Sequence, residues 1–215
     1  STTVVTAFTT TQVGALTSVQ IGALVVTQLN ALSTTVIASL TTTQVGSLKT
    51  TQVKGLSTTV MTALTTTQVG ALTTTQLGVF ATSQLNALTT TAVNALSTTQ
   101  VGSLSAAQVG GLSTTAIAVF STTQIATLNA TQIKALTTTE VRTLSTTQIG
   151  ALSTVQVGNL TTTQLNSLTT TTFTALSTTQ IGGLTTTHVA NLSTTLLSAL
   201  STTCLLYTSD AADEG

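Results

Sequence analysis

The side chains able to move a proton, attack a carbonyl or hold a metal are few and scattered. Among 215 residues there are four Lys or Arg, four Asp or Glu, one His and one Cys. General acid–base chemistry needs a positioned His, carboxylate, Lys, Tyr or Cys, yet His188 and Glu140 stand about six octads apart in sequence. Lys134 and Arg142 flank Glu140, a spacing that suits a local ion pair, worth little when exposed. Thr is abundant, with 61 copies, but a hydroxyl without an adjacent base is no nucleophile. Glycines recur singly or as the pairs Gly110-Gly111 and Gly182-Gly183, a distribution unlike a phosphate-binding loop. No catalytic, cofactor-binding or metal-ligating residue is expected, and no enzyme activity.

Composition narrows the partners as well. Charged residues make up 4% of the chain, where globular domains carry about a quarter. Neither the basic footprint of a nucleic-acid binder nor that of an acidic-lipid binder is present. The final segment, CLLYTSDAADEG from Cys204, departs from the rest and holds the only Cys and Tyr with Asp210, Asp213 and Glu214. It resembles a translated sequencing adapter, so residues 204–215 are expected to be a non-native tail and are set aside, as fusion scars are. The remainder has Lys49, Lys54, Lys134 and Arg142 against Glu140 alone, a net charge of +3. Opening on Ser1 in mid-pattern, residues 1–203 are expected to be a single solenoid, a fragment of a longer array.

The pattern is an octad. Leu or Phe occupies every eighth position from Phe8 to Leu200, giving twenty-five octads without an insertion. With this position called h and the preceding seven a to g, octad n ends at residue 8n. Position e is always Val, Ile, Leu, Met or Phe, position d usually Gln, a usually Ser or Thr, and b and c nearly always Thr. In a strand, e and h, three residues apart, would point to opposite faces. On a helix they share one face. Ser or Thr at a with Gln at d forms a capping box, in which the hydroxyl and the amide each take one free backbone N–H, and h before the cap pairs with e as a hydrophobic staple. Cap, box and staple fall in one register. The expected fold is therefore an all-α solenoid of very short capped helices, one per octad, with a β-solenoid as the alternative. Isolated helices this short are unstable, so each octad must stack on others, as repeat units do.

The exceptions carry a slower period. Position d departs from Gln at Val4, Val36, Val60, Ala92, Ala116, Glu140, Thr172, His188 and Leu196. Without His188 these recur every ~3.4 octads, about 27 residues. Gly at f (Gly14, Gly22, Gly46, Gly70, Gly78) and larger polar f residues (Asn30, Lys54, Asn86, Lys134, Asn166) follow the same beat. One superhelical turn per ~3.4 octads explains all three. Gly at f is expected where something approaches closely, since Gly within a helix costs ~1 kcal/mol otherwise. The residues Val4, Val36, Val60, Ala92, Ala116, Thr172 and Leu196 would form either an internal corner or a lateral contact stripe. His188 and Glu140 sit at the usual Gln position, where a carboxylate can also complete the box and favours a helix N-terminus.

The octad [ST]-T-T-Q-[VIL]-G-[AS]-L over residues 1–203 resembles the Thr/Gln/Leu octapeptide arrays of large bacterial surface or secreted proteins. That resemblance implies an extracellular or cell-surface segment and brings no catalytic motif. The expected function is a rod-like structural spacer or scaffold. The alternative is a binding surface for a protein or glycan, or for ice through its Thr arrays, although Thr in nearly every octad singles out no one face. The partners expected are neighbouring repeats of the same chain, with lateral self-association or a protein or glycan partner beyond them. No apolar run approaches the ~18 residues of a membrane span.

Overall fold

The computed structural model describes residues 5–200; Val4 and the adapter-like tail lie outside them. Every regular element among the described residues is helical, with no strand. From Thr10–Gly14 to Thr186–Ala190 the helices hold four to six residues and begin at position b, as in Thr42–Gly46, Thr66–Gly70 and Thr138–Thr143. Each starts where the box places it. Thr41 is extended (φ −71°, ψ 156°), its hydroxyl accepts from the Gln44 amide at 3.2 Å, and Gln44 Oε1 accepts from the Thr41 amide at 2.8 Å. Where a lacks a hydroxyl, at Val25, Lys49 and Ala81, only the Gln half persists, with N–H to Oε1 distances of 3.0, 2.8 and 2.9 Å.

Each helix ends between e and g, and the turn after it closes on h. Its N–H returns to the carbonyl of e, as from Leu48 to Val45 at 3.2 Å, the tight final turn common at helix termini. Position h is then extended, as at Leu40 (φ −58°, ψ 137°), and the next cap is extended too. Two successive extended residues redirect the chain. No described residue has a positive φ, so the corner needs no left-handed glycine. This explains how one short consensus repeats without a turn motif.

The chain divides into two compact units, residues 1–108 and 109–215. In the first, the helix of octad 5 packs on those of octads 2 and 8; in the second, octad 18 packs on octads 15 and 21. Each unit is thus a solenoid in which octads n and n+3 are stacked neighbours. Side chains at e and h supply the core: Val45, Val53 and Met61 are fully covered in the first unit, Ile125, Val141 and Ile149 in the second. Polar contacts run across 25–27 residues at Asn30 and 28–31 residues at Gln44. These separations bracket the 27-residue beat read from the sequence.

Glycine at f does not generally mark close approach. A Cβ at Gly14, Gly70 or Gly78 would meet nothing within 4 Å, because f there faces outward. Tight approach occurs instead at Gly158 and at two g residues. A Cβ at Gly55 would stand 2.7 Å from Val26 Cγ1, and at Gly183 2.5 Å from the Thr154 carbonyl oxygen. The two classes should respond oppositely to alanine. Gly183→Ala must move backbone and is expected to destabilise by about 1–3 kcal/mol, whereas Gly70→Ala should stabilise by about 0.5–1 kcal/mol. Denaturant unfolding of the two variants checks the signs; a stabilising Gly183→Ala would contradict the packing described.

Candidate functional site

The most demanding chemistry in this chain is done by the side-chain amide of Gln at d. Its oxygen completes the capping box within its own octad, and its nitrogen reaches another level of the stack. Gln44 Nε2 donates to the carbonyls of Val13 (2.9 Å) and Leu16 (2.7 Å), residues e and h four octads earlier. Gln68 does the same to Ile37 and Leu40 at 2.8 and 2.7 Å. In the second unit Gln148 reaches Ile117 and Phe120 at 3.2 and 2.8 Å. The nitrogen carries two protons and gives one to each carbonyl. These amides are at most 5% exposed from Gln44 to Gln180, so an unmade bond would leave a buried polar group unsatisfied, at about 1–3 kcal/mol. Gln12 and Gln20 are exposed.

The capping box accounts for the oxygen but not the nitrogen, and the sequence holds a clue to the second role. Glu completes a capping box as well as Gln does, yet sixteen octads carry Gln at d and one carries Glu. Such a bias requires a donor at that position.

Two octads with an apolar d solve the same problem from a different residue. At octad 8, where d is Val60, the Ser57 amide has no Gln to meet. Asn30 Oδ1 accepts from it at 2.8 Å while Asn30 Nδ2 donates to the Gly55 carbonyl at 2.9 Å. At octad 25, where d is Leu196, Asn166 accepts from the Ser193 amide and donates to the Asn191 carbonyl, both at 2.8 Å. An Asn at f thus replaces a missing Gln thirty residues later. The spacing recurs in the sequence at Asn86 and Ala116. At Asn30 with Val60 and at Asn166 with Leu196, the Asn and the apolar d are two halves of one joint.

The apolar d residues lie inside. Val36, Val60, Ala92, Ala116, Thr172 and Leu196 are each at most 9% exposed, so they fill internal positions rather than a surface stripe. His188 is likewise buried, and its Nδ1 accepts from the Thr185 amide at 3.2 Å, standing in for a Gln oxygen. Glu140 is buried with Oε2 accepting from the Thr137 amide at 2.5 Å, and its Oε1 has no hydrogen-bond partner. Lys134 and Arg142 are both exposed. Among the described residues no group of three or more His, Cys, Asp or Glu could hold a metal ion. The remaining exposed apolar side chains include Val19 and Val155, both at c, and Val25.

The joint can be tested by a double-mutant cycle. Asn30→Ala should cost about 1–3 kcal/mol by stranding the Ser57 amide and the Gly55 carbonyl. Val60→Gln in that background should recover most of the loss, since Gln there can cap Ser57 and reach the carbonyls of Leu29 and Leu32. In the wild-type background the same change should give no gain. Additive effects across the cycle would refute the exchange of caps.

Comparison with known proteins agrees with the octad. The ALTTAQ repeat model matches residues 27–58, 78–114, 131–162 and 138–170, in tandem and over just more than half of the chain. The corresponding string at residues 71–76 reads ALTTTQ, spanning g and h of one octad and a to d of the next. No curated protein matches the chain. Its tandem octads, with Gln at the position that joins one level of the stack to another, belong to the ALTTAQ repeat family.

Proposed function

We propose that the chain is a structural spacer or scaffold segment, rod-like, from the extracellular or cell-surface part of a bacterial protein, and that it performs no catalysis. The observation that carries this reading is where the interactions go. Buried e and h side chains, Gln amides and Asn caps all engage octads three or four places away in the same unit. What is left outside is chiefly Thr at b and c, exposed for example at Thr42, Thr43, Thr66, Thr67, Thr74 and Thr75. Such a surface keeps an apolar array hydrated through hydroxyls and presents no concentrated charge. No described helix is long and apolar enough to cross a membrane. The absence of Cys before residue 204 and the scarcity of Lys and Arg suit an extracellular stalk.

A spacer has a simple physical signature: its length grows with repeat number, because each added unit stacks on its neighbours. Small-angle scattering should show an elongated particle whose maximum dimension falls in proportion when three octads, residues 49–72, are deleted. A compact sphere, or a dimension unchanged by the deletion, would refute the reading.

A further inference from the structure

The Thr surface is interrupted within the first unit. Across the twenty-five octads, positions a to c carry a branched apolar residue four times, at Val19, Val25, Val26 and Val155, and a charged one once, at Lys49. Three of those valines and the lysine meet. Two hollows of about 440 and 330 Å³ share Gly22, Ala23 and the Lys49 side chain; Val19 lines the first, Val25 and Val26 the second. A Cβ at Gly22 would lie 3.9 Å from Lys49 Cε, so the lysine stem runs over a residue that leaves it room. Val19 is 82% exposed and Val25 58%. Two of these residues also work against the fold. Position a caps the next helix, and from Thr9 to Ser193 only Val25, Lys49 and Ala81 lack a capping side chain there. Losing that side chain forfeits a hydrogen bond, and a cation at a helix start opposes the helix dipole. Local rules are broken chiefly where function requires it, and two of the three lapses fall in this one patch.

Charge indicates what covers the patch. Residues 1–108 contain no Asp or Glu, and their only charged side chains are Lys49 and Lys54, both exposed and both in octad 7. Nothing in this unit neutralises them. A second copy offers no accessible carboxylate either, because Glu140, the one acidic residue among those described, is 2% exposed. A lipid surface calls for a cluster of four or more Lys or Arg. We propose that the two hollows beside Lys49 are a docking site for an acidic, apolar peptide segment of a partner protein. Its aliphatic side chains cover Val19 on one side and Val25 and Val26 on the other, and an Asp or Glu between them meets the Lys49 ammonium. The Thr of other octads supplies neither the apolar surface nor the charge, so the segment is held at this level of the stack. A uniform repeat thereby gains one addressed position, whether or not the array serves as a spacer.

The test is binding of the fluorescent, end-capped peptide LDELDL to the full chain, followed by anisotropy beside its neutral counterpart LNQLNL. Lys49→Thr, and Val19→Thr combined with Val25→Thr, return these positions to the consensus and restore the caps of octads 7 and 4. Such variants keep the fold, which thermal unfolding of each verifies, so lost binding reports the surface itself. The affinity for LDELDL should fall by roughly threefold to tenfold in Lys49→Thr and by about tenfold in the valine double variant. Val155→Thr should leave it unchanged, and added salt should weaken it. Failure of LDELDL to bind overturns the proposal, as does equal binding of LNQLNL or binding that survives the three substitutions around Lys49. Sedimentation of the chain alone and with phosphatidylglycerol vesicles completes the experiment. Association with itself or with the vesicles, abolished by the same variants, would assign the patch to a second copy or to lipid and overturn the proposal as well.

Discussion

Helices of four to six residues leave nearly all of their backbone groups without an intrahelical partner, and the described octads are organised around closing that deficit. A helix ordinarily leaves four amides and four carbonyls unmatched at its ends; in these helices the ends meet. The Ser or Thr hydroxyl takes one amide, the Gln oxygen takes the cap amide, and the Gln nitrogen takes two carbonyls from a level below. One residue therefore links a helix start in one octad to a helix end four octads away. Because those carbonyls are buried by the e and h side chains, the apolar core and the polar joint require one another. Neither would be stable alone.

This coupling explains the rigidity of the consensus. An octad can lose its cap hydroxyl, as at Lys49 or Ala81, because the Gln oxygen still holds the amide. Where Gln is lost, another amide can serve the joint, as Asn30 does for Val60, or the replacement can retain part of the function, as His188 does through Nδ1. Glu140 retains the oxygen and forfeits the donor. Stacking contacts at sequence separations near 27 residues also make each level depend on its neighbours in the same unit. Such an arrangement suits length and uniformity more than a single specialised pocket.

Much of this architecture was legible in the octad. The separation of Thr41 from Gln44 implied the box, the pairing of Leu40 with Val45 implied the staple, and the 3.4-octad drift implied the turn. The Gln nitrogen was not read, because its acceptors lie 28–31 residues away and only the three-dimensional stack reveals them. The drift of Asn30 with Val60 was visible as a coincidence of period; its cause, a shared cap, depends on where the Ser57 amide points. Gly at f was misread for a related reason. A helix cost at Gly70 implies a compensating close contact only if f faces a neighbour, and there it faces outward.

Buried Gln amides fasten the levels of each stack, and their own protons report it. Hydrogen exchange of the side-chain amides, followed by NMR, should show slow exchange at Gln44, Gln68, Gln148 and Gln180, where both protons meet backbone carbonyls. Exposed Gln12 and Gln20 provide the reference within the same molecule and should exchange freely. If the buried set exchanged as fast as Gln12 and Gln20, the joint described here would not be what holds the solenoid together.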